Sequence, residues 1–205
     1  MHKEVLSPEQ KKLLPFIYEF SKQYYLAGGT AIALQIGHRR SIDFDMFTDK
    51  KISAGSIKNL LKKNNIAYKI IHEAFDQFHI YINSVKLTFF EYPYRIKTKS
   101  VFNNIINMPE LIDLSAMKAI ALGGRAKWKD YVDLYFILKD FFSFTEIENK
   151  TSQIFQDAFN PKLLKQQLAY FKDIDYSEEI EFMPGYETDD NEIKKFLTEI
   201  ATRKI

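Results

Sequence analysis

The sequence of 205 residues has no cysteine, one tryptophan, seven glycines and six prolines. The absence of cysteine excludes a disulfide-stabilised scaffold, a thiolate zinc site and catalysis by a cysteine nucleophile. No apolar run reaches the roughly 18 residues that a membrane-spanning helix needs, and the first ten residues carry too much charge for a signal peptide. We therefore expect a cytoplasmic protein without a membrane segment.

Apolar and aromatic residues are abundant. Hydrophobic residues make up 46% of the chain, and 18 phenylalanines and 12 tyrosines raise the aromatic share to 15%. This composition excludes a disordered or fibrous chain and is typical of a globular protein with a substantial core. The length indicates one domain, or one domain with an appended helical part.

The charges are distributed unevenly. Residues 1–172 contain 25 Lys and Arg against 17 Asp and Glu, whereas residues 173–205 contain 4 against 10. A basic body favours a polyanionic partner such as a nucleotide or RNA, although an uneven solvated surface gives the same count. The acidic end has three interpretations, because it can pair with the basic body, repel a competitor or stay solvated.

The residue pattern changes half-way along the chain. In the first half it predicts helices over 7–23, 30–37 and 53–64 and strands over 24–27, 42–47, 68–72, 77–82 and 85–92. In the second half it predicts only helices, over 110–122, 130–142, 143–149, 161–171 and 190–202. We therefore predict an α+β protein with a mixed-sheet domain in residues 1–105 and a helical domain in residues 106–205.

Two aspartates stand on one predicted strand. Asp43 and Asp45 are two residues apart, so on a strand they face the same side, about 6.6 Å apart along the backbone. Two carboxylates with few other ligands favour Mg²⁺ or Mn²⁺. Taken alone, the pair also fits an ordinary strand with a solvated face.

A glycine pair precedes these aspartates. Gly28 and Gly29 end a short apolar strand and open a helix that is predicted to begin at Thr30. Glycine lets the backbone approach a phosphate closely, and the first amides of a helix attract anions. With the two aspartates, this turn predicts a cradle for a metal-bound triphosphate and a nucleotidyl-transfer reaction.

Two segments carry a family resemblance. Residues 26–45 read Leu-Ala-Gly-Gly-Thr-Ala-Ile-Ala-Leu-Gln-Ile-Gly-His-Arg-Arg-Ser-Ile-Asp-Phe-Asp and resemble the first motif of AbiEii-type nucleotidyltransferases, a toxin family of the DNA polymerase β-like superfamily. Residues 113–135 resemble the family's K…R…K-D-x-x-D-L segment. The resemblance implies a polymerase β-like nucleotidyltransferase domain, followed by a helical part that completes the active-site cleft.

The resemblance also implies roles. Asp43 and Asp45 would bind Mg²⁺ or Mn²⁺, and the substrate would be an NTP. The acceptor would be RNA, such as a tRNA 3′ end, and a separate antitoxin protein would be the partner. Candidate nucleotide-binding residues are Gly28, Gly29, Thr30, Arg40, Ser41 and Arg125, and further candidate catalytic residues are Lys118 and Asp130. Each has a structural alternative. Arg39 and Arg40 could equally pair with neighbouring acids, Lys118 could be a solvated helix lysine, and Asp130 could be a first-turn helix acid.

Other residues of the second segment and the histidines are expected to have structural roles. We predict that Asp133 pairs with Lys129, four residues earlier on a helix. The four histidines show no metal-ligand spacing and no nucleophile partner, and a surface or loop position is expected for them. They are His2, His38, His72 and His79. His38 is held as an exception, because it lies with Arg39 and Arg40 between a predicted helix and the acidic strand.

One position departs from the superfamily pattern. Thr88 aligns with the third carboxylate that superfamily members usually carry on a neighbouring strand, and threonine cannot accept a proton at neutral pH. The site then either works with two strand carboxylates and Asp130, or recruits Glu91, or binds nucleotides without turnover. A non-catalytic binding module and a small-molecule nucleotidyltransferase are thus the alternatives to an RNA-modifying enzyme.

Overall fold

The computed structural model describes residues 1–203, which divide after Glu110 into two compact units. The first contains three helices and seven strands: α1 (Pro8–Tyr18), β1 (Tyr25–Ala27), α2 (Gly28–Ile36), β2 (Phe44–Thr48), α3 (Ala54–Lys63), β3 (Lys69–Glu73), β4 (Gln77–Ile82), β5 (Val85–Glu91), β6 (Ser100–Phe102) and β7 (Ile106–Met108). The second contains α4 (Leu111–Gly124), α5 (Trp128–Asp140), α6 (Phe144–Phe155), α7 (Pro161–Leu168) and α8 (Asp190–Thr202). The predicted α+β class is confirmed.

A mixed five-stranded sheet in the order β1-β2-β5-β4-β3 forms the centre of the first unit. Strand β2 runs parallel to β5, and the other neighbouring pairs are antiparallel. Strands β2, β4 and β5 alternate between two faces, as the sequence predicts. One face is buried and apolar, with Phe44, Met46, Leu87, Phe89 and Ile80.

The opposite face of this sheet is half-buried and partly polar. It carries Asp45 and Phe47 from β2, Lys86 and Thr88 from β5, and His79 from β4. We call it the Asp45 face. Aligned positions on neighbouring strands share a face, so side chains distant in sequence become neighbours across it.

Aromatic packing joins α1 and the turns after it to the apolar face. The predicted helix over 7–23 ends at Tyr18, and the chain continues to Gln23 in turns with hydrogen bonds three residues apart. This keeps Phe20 and Tyr24 on the helix's apolar side, where their ring centroids lie 4.9 and 5.3 Å from that of Phe89.

The second unit is helical and surrounds α5. Tyr131 and Tyr135 of that helix are among the largest fully buried side chains of the described residues. Helix α6 begins at a capping box between Ser143 and Glu146 and continues to Phe155, beyond the predicted end at Asn149. A capped amphipathic helix continues while its apolar stripe stays buried, and Thr151 and Phe155 extend that stripe.

Acidic residues from the end of the chain pair with α5 and the residue before it. Glu178 contacts both Lys127 and Lys129, and Asp190 accepts a hydrogen bond from the indole nitrogen of Trp128 at 3.1 Å. Of the three interpretations of the acidic segment, pairing with basic residues is therefore the one seen for these side chains.

One further difference from prediction concerns the segment before the second unit. Residues 100–108 form the hairpin of β6 and β7, which belongs to the first unit, although the sequence shows no clear alternation there. Within residues 1–203, no helix is long and apolar enough to cross a membrane.

Candidate active site

The glycine pair forms a tight strand-to-helix turn beside β2. Helix α2 begins at Gly28, two residues before the predicted start, and Gly28 adopts a left-handed φ of +67°. A Cβ atom at this position would lie 2.0 Å from Oδ2 of Asp45. Only glycine combines this φ with this approach. The structure therefore places the carboxylate of Asp45 directly against the first residue of α2.

The guanidinium of the buried Arg39 lies beside Gly29, the second residue of α2. A Cβ atom on Gly29 would be 2.6 Å from Nη2 of Arg39 and 3.1 Å from Oγ of Ser41. Arg39 is 3% exposed. The start of α2 has no capping side chain among the described residues, because its N-cap is Ala27. The positive end of the helix dipole and a guanidinium group thus lie close together, an arrangement that attracts an anion.

Thr30 ties the helix to the segment before β2. Its hydroxyl donates a hydrogen bond to the carbonyl oxygen of Asp43 and lies 3.0 Å from Oγ of Ser41. The Thr30 side chain is 1% exposed. Its hydroxyl therefore positions the aspartate-bearing segment, and its contribution to an anion site comes from its backbone amide.

Gln10 of α1 supports the same segment and was not predicted from the sequence. Its side-chain nitrogen donates to the carbonyl oxygen of Ser41 at 2.8 Å, and its side-chain oxygen accepts from the backbone nitrogen of Ser7 at 3.0 Å. Gln10 is fully buried. The Ser7-x-x-Gln10 spacing of a capping box predicts the contact between Gln10 and Ser7. The spacing does not reveal the contact between Gln10 and the carbonyl oxygen of Ser41.

The two predicted nucleotide-binding residues between α2 and β2, Arg40 and Ser41, lie in different surroundings. Ser41 lies at the glycine turn, as described above. Arg40 donates from Nη1 to the carbonyl oxygen of Glu4 at 3.2 Å. Arg39 is thus the arginine that contacts the glycine turn, and the sequence could not distinguish it from its neighbour.

Both aspartates are half-buried and alternate with buried apolar residues. Asp43 directly precedes β2, Phe44 is fully buried, and Asp45 is half-buried again. This alternation fits two carboxylates on one side of the chain. Within residues 1–203, no group of three or more His, Cys, Asp or Glu residues could hold a metal ion. The two aspartates fit Mg²⁺, which binds one or two carboxylates together with water and substrate phosphates.

Strand pairing locates the position of the expected third carboxylate. Thr88 aligns directly with Asp45 across the parallel pair of β2 and β5. Strand β5 pairs residue by residue with both of its neighbours, so Glu91, three positions later, lies on the opposite face. The recruitment of Glu91 through a bulge is therefore wrong.

The second unit brings three of the predicted residues together. Nζ of Lys118 lies 2.7 Å from Oδ1 of Asp130 and 2.9 Å from Oδ2 of Asp133, and Nε of Arg125 lies 3.0 Å from Oδ2 of Asp130. Lys118 is 5% exposed, so it is not a solvated helix lysine. Burial alone would raise the pKa of Asp130, but the charges of Lys118 and Arg125 lower it below its usual value.

This cluster corrects one predicted ion pair. Asp133 was expected to pair with Lys129, but it contacts Lys118, and Lys129 contacts Glu178. The reason is the break between α4 and α5. Helix α4 ends at Gly124 and α5 begins at Trp128, so the lysine on α4 approaches α5 from outside that helix. A pattern read along one continuous helix misses such a contact.

Comparisons with known proteins match this chain over nearly its whole length. Residues 17–202 match the family model described as nucleotidyl transferase AbiEii toxin, type IV TA system. The chain belongs to the AbiEii nucleotidyltransferase toxin family. It is therefore a nucleotidyltransferase of a toxin family, and the resemblance found in the sequence is confirmed.

Individual relatives are more distant. The uncharacterized protein aq_aa25 of Aquifex aeolicus is 29% identical over 175 residues, which cover 82% of this chain and 84% of that protein. The structure resembles MenT4, a nucleotidyltransferase toxin of Mycobacterium tuberculosis, with a TM-score of 0.61 at 10% identity, covering 94% of this chain and 81% of MenT4. It also resembles JHP933 of Helicobacter pylori, with a TM-score of 0.57 at 18% identity and coverages of 96% and 91%. At these identities the two structures support the polymerase β-like fold.

Proposed function

We propose that this nucleotidyltransferase transfers a nucleoside monophosphate from an NTP to a hydroxyl group of RNA in a Mg²⁺-dependent reaction. The observation that carries the proposal is the approach of the Asp45 carboxylate to the glycine turn that opens α2, because the same spot then holds oxygen ligands for a cation and amides for phosphate.

The triphosphate would bind at the start of α2. The amides of Gly28, Gly29 and Thr30 belong to the first helical turn, where amides lack carbonyl partners within the helix. The guanidinium of Arg39 and the hydroxyl of Ser41 lie beside them. Phosphate oxygens would accept hydrogen bonds from the helix amides and lie beside a positive charge.

Asp43 and Asp45 would hold the divalent metal. When bound, the metal would supply electrostatic stabilisation for the charge that develops on the α-phosphate. The chain's own contribution is to fix the two aspartates in place. Thr30 and Gln10 do this through hydrogen bonds to the backbone of residues 41 and 43, so the carboxylates need little reorganisation when the substrate arrives.

The ion cluster of the second unit has a proposed role of its own. From the family resemblance, Lys118 and Arg125 would contact the phosphates and Asp130 would act beside them. The cluster supports this role because Arg125 is half-exposed while it contacts the buried Asp130. A half-exposed guanidinium can be approached by an oxygen anion from solvent.

RNA is the acceptor class that the charge distribution favours. Residues 1–110 contain 16 Lys and Arg against 10 Asp and Glu, and residues 50–69 contain six lysines and no acidic residue. Such a basic surface suits a polyanionic acceptor better than a small neutral one. The type IV toxin–antitoxin family adds an antitoxin protein as the expected partner.

The test is a transfer assay with Mg²⁺, each labelled NTP in turn and total tRNA. We expect label to enter RNA with the wild-type protein and with Asp49→Asn, and at least about 100-fold less with Asp45→Asn, because a catalytic carboxylate is lost. Asp49 is the matched control, since it lies just beyond β2 and is exposed. NTP consumption without RNA would favour a small-molecule acceptor, and binding without transfer would contradict turnover.

A further inference from the structure

A row of side chains crosses the Asp45 face through three neighbouring strands. Asp45 of β2 aligns with Thr88 of β5, and Thr88 aligns with His79 of β4. Strand spacing places the Cα atoms of Asp45 and His79 about 9.6 Å apart. A titratable side chain therefore lies one strand beyond the position where the superfamily's third carboxylate is missing.

The imidazole of His79 has an unsatisfied nitrogen. Its Nε2 atom is buried and forms no hydrogen bond with any residue between 1 and 203. Its ring centroid lies 5.3 Å from that of His72 on the edge strand β3. A buried polar atom without a partner costs free energy, so native proteins leave one mainly where a ligand or water completes it.

The surroundings of His79 favour a neutral ring. Burial lowers its pKa below 6.5, and the charges of Lys86 on β5 and His72 on β3 lower it further, while Asp45 on β2 and Asp76 before β4 act in the opposite direction. A neutral imidazole has one nitrogen that can accept a proton. Burial, together with these two basic neighbours, thus favours the form of His79 that a general base requires.

We propose that His79 accepts the proton of the attacking hydroxyl, the task that Thr88 cannot perform. The inference rests on the proposed nucleotidyl transfer. The hydroxyl oxygen forms a bond to the α-phosphorus, the bond between that phosphorus and the bridging oxygen breaks, and pyrophosphate leaves with the electron pair. The hydroxyl proton moves to Nε2 of His79, and the ring becomes an imidazolium ion.

The arrangement explains why the departure at Thr88 leaves an active site possible. Threonine is shorter than the acid that it replaces in the superfamily pattern. Glu91 is on the opposite face, and the Asp45 face of β5 otherwise carries Lys86 and Phe90. Asp45, Thr88 and His79 form the aligned row across β2, β5 and β4. Of these three residue types, only histidine has an ordinary pKa near neutral pH.

The test measures transfer rate against pH for the wild type, His79→Ala, His79→Gln and His72→Ala. We expect both His79 variants to lose about 100-fold or more in kcat, with an unchanged KM for NTP. The wild-type rate should fall on the acidic side of pH 6.5, and this limb should be absent in both His79 variants. Added imidazole should restore part of the rate of His79→Ala but not that of His79→Gln, which keeps the volume filled.

The control separates a proton acceptor from a packing residue. His72→Ala should transfer at close to the wild-type rate with its acidic limb moved to higher pH, because a positive neighbour of His79 is gone. Wild-type rates or an unchanged acidic limb in the His79 variants would overturn the role of His79 while Asp45-dependent transfer still supports the function. Absence of Asp45-dependent transfer in the wild type would overturn both.

Discussion

The contact between Gly28 and Asp45 gives the sharpest mutational prediction. In Gly28→Ala the new methyl group would lie 2.0 Å from Oδ2 of Asp45, whereas ordinary contact begins near 3.4 Å. The carboxylate must therefore move by at least about 1.4 Å. A displacement of about 1 Å at a catalytic group can cost about 100-fold in rate, so we expect at least that loss of transfer activity.

The same substitution should also destabilise the protein through two separable effects. An alanine at a φ of +67° costs about 1–2 kcal/mol, and the collision with the carboxylate adds about 1–3 kcal/mol. Gly185→Ala is the matched control, because its φ is +89° and no atom lies within 4 Å of its added Cβ. It should show the backbone cost alone and keep full activity.

A double-mutant cycle isolates the collision. In an Asp45→Ala background the nearest remaining side-chain atom of residue 45 is Cβ, 3.1 Å from the new methyl group. We expect the added cost of Gly28→Ala to fall by about 1–3 kcal/mol there, measured by urea unfolding. Equal costs in both backgrounds, or a fully active Gly28→Ala enzyme, would refute the placement of Asp45 against the glycine turn.

Three further predictions concern buried and half-buried polar contacts. Lys118→Met should lower the free energy of unfolding by about 3–5 kcal/mol in urea, because two buried carboxylates lose their shared ammonium group; an unchanged midpoint would contradict this. Thr30→Val should cost about 1–3 kcal/mol and reduce transfer, since the carbonyl of Asp43 loses the hydrogen bond from the Thr30 hydroxyl, whereas Thr30→Ser should retain both properties. Burial opposes ionisation of Glu178, but hydrogen bonds from two lysines lower its pKa to about 2. The ionised Glu178 therefore stabilises the folded protein above about pH 4.5, and this stabilisation is lost as the pH falls towards 2. Because Glu178 is 40% exposed, this amounts to about 1 kcal/mol or less, and Glu178→Gln should show a correspondingly flatter acid-unfolding curve.

Much of the first unit could be predicted from local patterns. Alternation of buried and half-buried residues located β2, β4 and β5, and the glycine pair located the turn into α2. Asp45 and Thr88 share a face because β2 and β5 are neighbours in the sheet. The order β1-β2-β5-β4-β3 cannot be read from the alternation of apolar and polar residues within any one strand. The lack of metal-ligand spacing predicts a surface or loop position for His79, whereas it lies on β4 opposite Thr88.

The contacts of charged residues were harder to predict than the elements that carry them. Lys118 bridges two acids on the following helix, a contact between elements that spacing along one helix cannot show. Similarly, Arg39 and Arg40 are adjacent and chemically identical. Which of them contacts the glycine turn depends on how residues 37–43 are held by Gln10 and Thr30, and those contacts arise only in the folded chain.

The most direct test of the nucleotide site is a crystal structure with Mn²⁺ and an NTP analogue whose α–β bridge cannot be cleaved. We predict an anomalous manganese signal between the carboxylates of Asp43 and Asp45, at about 2.0–2.3 Å from their oxygens, with the triphosphate against the first turn of α2. Manganese and triphosphate bound elsewhere on the protein, with Asp45 still against Gly28 and no ligand beside it, would contradict the account.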